Sequence, residues 1–440
     1  MKIAIVGAGW AGLTAAVTAL LAGHEVTVLE AGSSVGGRAR ALPATLPDGR
    51  PVLLDNGQHI LIGAYAETLR MLRVVGVDVK QALLNLPMTL QFPDGAGLRF
   101  PDWPTPLDAL AGIVGARGWS LADKWCLLRA ATSWQYRGFE CPASLSVAEL
   151  CQPLTARVQA ELIEPLCVSA LNTPASQASA SVFLRVLRDA LFGVAGGSHL
   201  LLPATDLGAL YPVAAADWIG RHGGCLHLKA RVQSIHHADR QWSLHGTGMD
   251  QAANQPFAAV ILATSASNTA LALMQSALTA TTDIANQLRD WATTAGSLSF
   301  EAIATVYAWA PAAALPRPML ALRSDAACPA QFVFDRAQLG GPAGLLAFVA
   351  SAAQGSRQTL QASVLAQAQR QLALTLQAVQ TVVEKRATFA CTPGLIRPAQ
   401  AIAPGLLACG DYVAGPYPAT LEGAVMSGIA AVAALHGPGH

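Results

Sequence analysis

The chain begins with an apolar run, a glycine turn and a second apolar run. Lys2 to Val6 is short and continuously apolar after its first residue, as expected of a strand buried on both faces. Glycines follow at 7, 9 and 12. An apolar stretch of helical length then runs from Trp10 to Ala22 and stops at Gly23. The run Glu25 to Leu29 ends on Glu30. Strand, helix and strand within about 30 residues make one β-α-β unit.

Beyond Gly63 the period lengthens. Tyr65, Leu69 and Leu72 recur at helical spacing, and Trp103 to Asn172 reads as helix broken by proline and glycine. Leu207 to His222 predicts a helix stopped by Gly223-Gly224. Leu226 to Ile235 and Gln241 to His245 read as strands, and Val260 to Ala263 as a buried one. Residues 300 to 350 suit the strands and loops of a second sheet. Leu360, Val364, Ala368, Leu372, Leu376, Val379 and Val383 predict one long amphipathic helix. Leu406 to Leu435 gives strand, loop and helix. Nucleotide-domain features thus stand at the start, near 200–265 and at the end of the chain, implying a discontinuous domain interrupted by another.

Charged residues are only 12% of the 440, about half the usual share, and hydrophobic ones 52%. Mean hydropathy is +0.39, yet no uninterrupted apolar run reaches the roughly 18 residues of a membrane span. The surplus must line a large core, an apolar pocket or a membrane-facing patch. A net charge of +1 gives no reason to expect a nucleic-acid partner. Eight scattered cysteines without a C-x-x-C pair argue against a metal site and for a reducing compartment. The apolar N-terminus superficially mimics a signal peptide, but its glycines fall on a nucleotide-binding register. It is read as mature, cytoplasmic protein.

Gly7-Ala8-Gly9-Trp10-Ala11-Gly12 is a G-x-G-x-x-G turn placed after a strand and before a helix. The first glycine permits the bend, the second lets the backbone approach a pyrophosphate, and the third lets helix and strand pack closely. Glu30, about 20 residues on, is placed to accept ribose hydroxyls. Gly36-Gly37-Arg38 then brings a guanidinium towards the same pyrophosphate.

Glu30-Ala31 followed by Gly36-Gly37-Arg38 resembles the FAD-binding stretch of the amine oxidase and phytoene desaturase flavoprotein superfamily. That resemblance implies non-covalently bound FAD. By it, Gly410-Asp411 would contact the ribityl chain and phosphate. Thr420-Leu421, opening the last helix, would face the flavin, where a helix N-terminus favours negative charge. Val232 would lie where the superfamily clasps the adenine. Cys391 raises the alternative of a covalent flavin link, against the usual role of a buried cysteine as a small hydrophobe.

Asp55-Asn56-Gly57-Gln58-His59-Ile60, Leu171-Asn172-Thr173-Pro174, the block Leu184 to Asp189 and the tail Pro418 to Gly428 resemble the hydroxysqualene dehydroxylase family, formerly the squalene-associated FAD-dependent desaturases. This implies an α/β fold with two domains. Residues 1–62, 197–265 and 398–440 would form a discontinuous Rossmann-type FAD domain. Residues 63–196 and 266–397 would form an inserted α+β substrate domain. The implied reaction reduces hydroxysqualene to squalene, with water leaving and hydride coming from flavin N5, in bacterial squalene and hopanoid biosynthesis. Gly57, Gln58 and His59 would pass the flavin ring. His59 is the first candidate for the acid that assists the departing hydroxyl, against a role purely in hydrogen bonding. Tyr412 and Tyr417 are candidates to polarise it, or pocket walls. Asp55 reads as a loop-ordering carboxylate.

The partners expected are a long apolar isoprenoid, upstream squalene-pathway synthases and a membrane surface. The chain would then be cytoplasmic but peripheral to the inner membrane. Residues 103–138, with Trp103, Trp119, Trp125, Trp134, Tyr136 and a basic excess, suit membrane-facing helices or an ordinary helical cap. Alternative functions on the same fold are a carotenoid or phytoene desaturase, an amine oxidase, or a non-catalytic prenyl-lipid carrier of the GDP-dissociation-inhibitor type.

Overall fold

Segments from the start, middle and end of the chain meet in one six-stranded sheet of the computed structural model. The strand order is Cys225–Leu228, Glu25–Glu30, Lys2–Val6, Ala259–Leu262, Leu406–Ala408 and Ala401–Ala403. All neighbours pair parallel except the last. The structure describes residues 1–193, 196–249 and 255–435. Residues 194–195, 250–254 and 436–440 of the expected domain segments lie outside the described residues.

The centre of this sheet is apolar on both faces because helices cover it. Ile3, Ile5, Val28 and Ile261 are buried. The helix Trp10–Leu21 packs on the helices Pro212–Arg221 and Leu421–Ala434. At Gly428 the last pair comes so close that a Cβ would stand 2.4 Å from the Ala11 carbonyl oxygen. Connections leave Lys2–Val6 in opposite directions on its two sides. The carboxyl ends of Lys2–Val6 and Ala259–Leu262 therefore frame the crevice where α/β sheets bind ligands.

A second, antiparallel sheet runs Met319–Ala321, Phe332–Asp335, Leu345–Ser351, Phe300–Trp309, Gln377–Phe389. Its alternation decides which residues meet a ligand. Val333, Leu346 and Phe348 pack with Val364 and Ala368 of the helix Arg357–Leu372. Phe332, Phe334 and Val349 point to the other face, towards the crevice. The helices Leu107–Val114 and Leu121–Tyr136, with those between Val147 and Phe192, form a cap beside this sheet.

Three sequence expectations are corrected. The long helix expected through Val383 ends at Leu372, and Gln377–Phe389 is the edge strand of the second sheet. Ala373 takes a left-handed conformation and closes the helix. Beyond it Val379, Val382 and Val383, β-branched, favour the extended chain. The strand expected from Leu226 to Ile235 breaks at Lys229, whose φ is +58°. Its halves join different sheets, Arg231–Ala238 pairing with Gln241–Thr247. The helix expected over Leu207 to His222 is two, Leu207–Leu210 and Pro212–Arg221, split at Tyr211. The helices Ala266–Ser276 and Thr282–Gly296 pack on the Arg231–Ala238 ribbon and the Ala401–Ala403 strand.

Candidate active site

The glycine turn is built as its spacing requires. Gly7 has φ +111° and donates its N–H to the Leu29 carbonyl at 2.7 Å, locking the turn to the neighbouring strand. A Cβ on Gly7 would lie 2.7 Å from the Ala263 carbonyl oxygen, and one on Gly12 1.9 Å from the Gly7 oxygen. Gly9, by contrast, faces open space and lines a cavity of about 1010 Å³. Trp10–Leu21 begins there, so its free N–H groups face that space.

Around this turn the sequence-predicted residues converge. Glu30 closes the loop edge: its carboxylate accepts from Ala8 N at 2.8 Å and Gly32 N at 2.7 Å. Ala31 and Val232 line the cavity beside it. Ala230 N reaches the Glu30 carbonyl at 2.9 Å, carrying the Val232 strand past the carboxylate. Gly36 and Gly37 cross below Gly9, Gly36 N bonding the Ala8 carbonyl at 2.8 Å. Arg38 pairs with Asp411 at 2.6 Å and also donates to the Ala387 carbonyl. The Asp411 charge holds its guanidinium above the ordinary pKa. The first and last segments of the chain are thereby clamped across the cavity.

Thr420 caps the final helix, accepting from Gly423 N at 2.9 Å, and with Leu421 it borders the cavity. Gly410 lies alongside, its N–H on Ser427 Oγ. Glu422, in that helix's first turn, turns away. It is buried and bonds Glu67 N, Thr68 N and the Thr68 hydroxyl, tying the helix to Ala66–Val74.

Gly57, Gln58 and His59 line the opposite stretch. His59 Nδ1 lies 2.7 Å from the Gly57 carbonyl. A carbonyl only accepts, so Nδ1 carries the proton. Burial also pushes the imidazole below its usual pKa. It is therefore neutral near pH 7, with Nε2 as an acceptor. Tyr412 lines the cavity too, but its hydroxyl is 3.2 Å from Thr269 Oγ1, which lies 2.8 Å from Thr264 Oγ1. That chain leads to the glycine turn, since Thr264 N is a neighbour of Gly7. Burial holds the Tyr412 phenol well above its ordinary pKa, as a neutral hydroxyl. Tyr417 stands apart, bordering a small side cavity with Asp189 and Tyr65. Cys391 is buried, its thiol pushed up to about 12, and it is not among the residues lining the large cavity.

Arg336 carries no motif and was missed in the sequence. It is buried, donates from Nη1 to Gln58 Oε1 at 2.9 Å, and places Nη2 3.5 Å from Asp55 Oδ2. Asp55 Oδ1 accepts from Leu207 N, and its backbone is clasped by the Tyr307 hydroxyl. Asp55 thus orders the loop ahead of His59. Asn172 also reaches the cavity, held by Thr388 at 2.9 Å and Ala352 N at 2.8 Å. Glu384 adds a carboxylate on the same wall, and Ile303, Phe332, Phe334 and Val349 make it largely apolar.

Residues 10–436 match the sequence profile of the flavin-containing amine oxidoreductases. The chain belongs to that family. Its cofactor is FAD, and the residues present fit it: an open glycine at a helix N-terminus, a carboxylate at the end of the second strand, and a cavity at the upper end of the usual small-molecule range. The chain is similar to a hydroxysqualene dehydroxylase of Zymomonas mobilis, 26% identical over 56% of each chain. It therefore matches little more than half the length of that relative. A tomato zeta-carotene desaturase is 36% identical over 28% of this chain and 21% of its own length. The fold is that of a solved Methanosarcina mazei oxidoreductase, with a TM-score of 0.71 at 16% identity over 98% of this chain and 99% of that one. The α/β architecture expected from the sequence is thus the observed one.

Proposed function

We propose that this flavin-dependent oxidoreductase reduces hydroxysqualene to squalene, releasing the allylic hydroxyl as water. The observation that carries this reading is the similarity to the Zymomonas mobilis hydroxysqualene dehydroxylase, and the polar loop opposite an apolar wall in this chain's own cavity supports it. The bound flavin supplies the hydride. The chain's own residues do the rest.

Ile303, Phe332, Phe334 and Val349 bury the hydrocarbon, each methylene contributing about 0.8 kcal/mol, so a long isoprenoid needs few polar contacts. The same wall keeps water from the allylic cation left when the hydroxyl departs. Gln58, fixed by Arg336, and His59, fixed by Gly57, are polar groups of the cavity that would orient that hydroxyl. With its proton on Nδ1, His59 acts as an acceptor at neutral pH and as an acid only once Nε2 is protonated.

Anaerobic incubation of dithionite-reduced protein with hydroxysqualene tests the reading. Squalene is the expected product, formed once per flavin reoxidised. No turnover of hydroxysqualene, with desaturation of phytoene by the oxidised protein, would instead assign a carotenoid desaturase, in keeping with the zeta-carotene desaturase similarity. Oxidation of an amine would assign an amine oxidase.

A further inference from the structure

The cap helices Leu107–Val114 and Leu121–Tyr136 turn one apolar side to the core and another to solvent. Trp119 and Trp134 are buried, so two of the four tryptophans in this segment serve the core. Trp103, Leu107, Leu110, Val114, Leu121 and Trp125 do not; Leu121 is 85% and Trp125 70% exposed. Leu107, Leu110 and Val114 recur at i, i+3 and i+7, and Leu121 and Trp125 at i and i+4, so each helix presents a stripe rather than scattered residues. The two stripes are joined: Lys124 Nζ donates to the Val114 carbonyl at 2.7 Å, holding the first turn of one helix against the end of the other. A contiguous exposed patch of this kind marks an interaction site.

Charge identifies the occupant. The acids of the segment are turned inward: Asp108 is buried and bonds Ala109 N and Ser198, and Asp123 is spent on Ser120 and Thr155. Its cations face out, Arg129 one turn beyond Trp125 and Arg117 in the loop between the helices. Exposed tryptophan and leucine rimmed by arginine match the headgroup region of an anionic bilayer. A second copy of the chain fits poorly, because a two-fold contact would bring two basic rims together while Asp108 and Asp123 of each helix pair stay buried. No helix of the described residues is long and apolar enough to cross a membrane, so the contact would be interfacial.

We propose that this helix pair docks in the headgroup region of an anionic lipid bilayer. Its value to catalysis rests on the isoprenoid reading above; the docking itself does not.

Flotation of the flavin-loaded protein with phosphatidylcholine vesicles, with and without phosphatidylglycerol, tests it. The protein should float with the anionic vesicles and be partly released by salt. Leu121→Ser with Trp125→Ser should weaken apparent vesicle affinity at least about tenfold, since both side chains lose their apolar burial. Arg117→Gln with Arg129→Gln should erase the preference for phosphatidylglycerol. The exposed pair Leu278→Ser with Ile396→Ser, outside the patch, should change nothing. Absence of flotation by the unaltered protein, or equal flotation of the Leu121/Trp125 variant, would overturn the proposal. So would a change from dimer to monomer in that variant without vesicle binding, which would assign the patch to self-association. Turnover in detergent separates the two readings: a docking variant should retain it, whereas a wrong substrate assignment gives none there even if flotation holds.

Discussion

Replacing Arg336 by methionine removes the cation beside the buried Asp55 carboxylate and the donor to Gln58 Oε1. Taking one partner from a buried pair costs about 3–5 kcal/mol, because the other charge stays behind. The size depends on pH in a calculable direction. Burial raises Asp55 to about 6 in the folded protein even with Arg336 pulling it down, against about 3.9 in an unfolded chain. A folded pKa above the unfolded one gives a contribution present at low pH and lost as pH rises through the folded value. Without Arg336 that folded value rises further, so the variant keeps losing stability above pH 6, where the unaltered protein has already levelled off. At pH 5 Asp55 is mostly protonated in both proteins, and the remaining loss is the unsatisfied Gln58 acceptor, about 1–3 kcal/mol. Urea titrations at pH 5 and pH 8, followed by flavin fluorescence, should therefore show a clearly larger destabilisation at pH 8. Adding Asp55→Asn should remove that pH dependence. A destabilisation equal at both pH values, or below about 1 kcal/mol at pH 8, would refute the account of this pair.

Gly12→Val should abolish flavin retention, because its first side-chain atom already falls on the Gly7 carbonyl; purified protein that keeps its absorbance band would contradict this. Glu30→Ala frees the Ala8 and Gly32 amides from their acceptor and should weaken FAD binding by about tenfold or more, read by flavin titration of the apoprotein. His59→Gln should keep the flavin and its colour. If the imidazole is the acid, turnover should fall about 100-fold and lose the limb that rises towards low pH; full turnover would remove His59 from the acid role.

How much of this was legible in the sequence differs by residue type. The glycine turn, Glu30, Gly36-Gly37-Arg38 and Asp411 are local signals, because backbone conformation and close approach dictate residue type at each position. Segment assignments failed where two periods coincide. Leu372, Leu376, Val379 and Val383 fit a helical stripe, and only the left-handed Ala373, which no alanine announces, divides helix from strand. The split of the tryptophans was equally hidden. Trp119 donates to Glu161, 42 residues away, while Trp125 faces solvent, and neither outcome follows from composition. Arg336 was invisible for the same reason: its partners Asp55 and Gln58 are brought to it by a fold that joins the second sheet to the first 60 residues.

The electrostatics around the cavity bear on how a hydroxyl would be made to leave. His59 is neutral, Tyr412 is a phenol held neutral and hydrogen-bonded to Thr269, and Asp55, the carboxyl raised to about 6, does not line the cavity. None of these three is a strong acid in contact with substrate at pH 7. An allylic alcohol reduces what is asked of an acid, since the departing group leaves a delocalised cation behind. Lowering the barrier then falls more on exclusion of water by Phe332, Phe334 and Val349 and on oriented neutral dipoles such as the Gln58 amide. That division predicts opposite sensitivities. On the proposed reaction, Phe334→Ser should admit water that recaptures the allylic cation, so that oxygen-18 from solvent enters the recovered alcohol while squalene still forms once per flavin reoxidised; His59→Gln should slow squalene formation without raising that exchange. If Phe334→Ser slows squalene formation with no oxygen-18 exchange into the alcohol, the apolar wall contributes binding alone, and the weight returns to proton transfer.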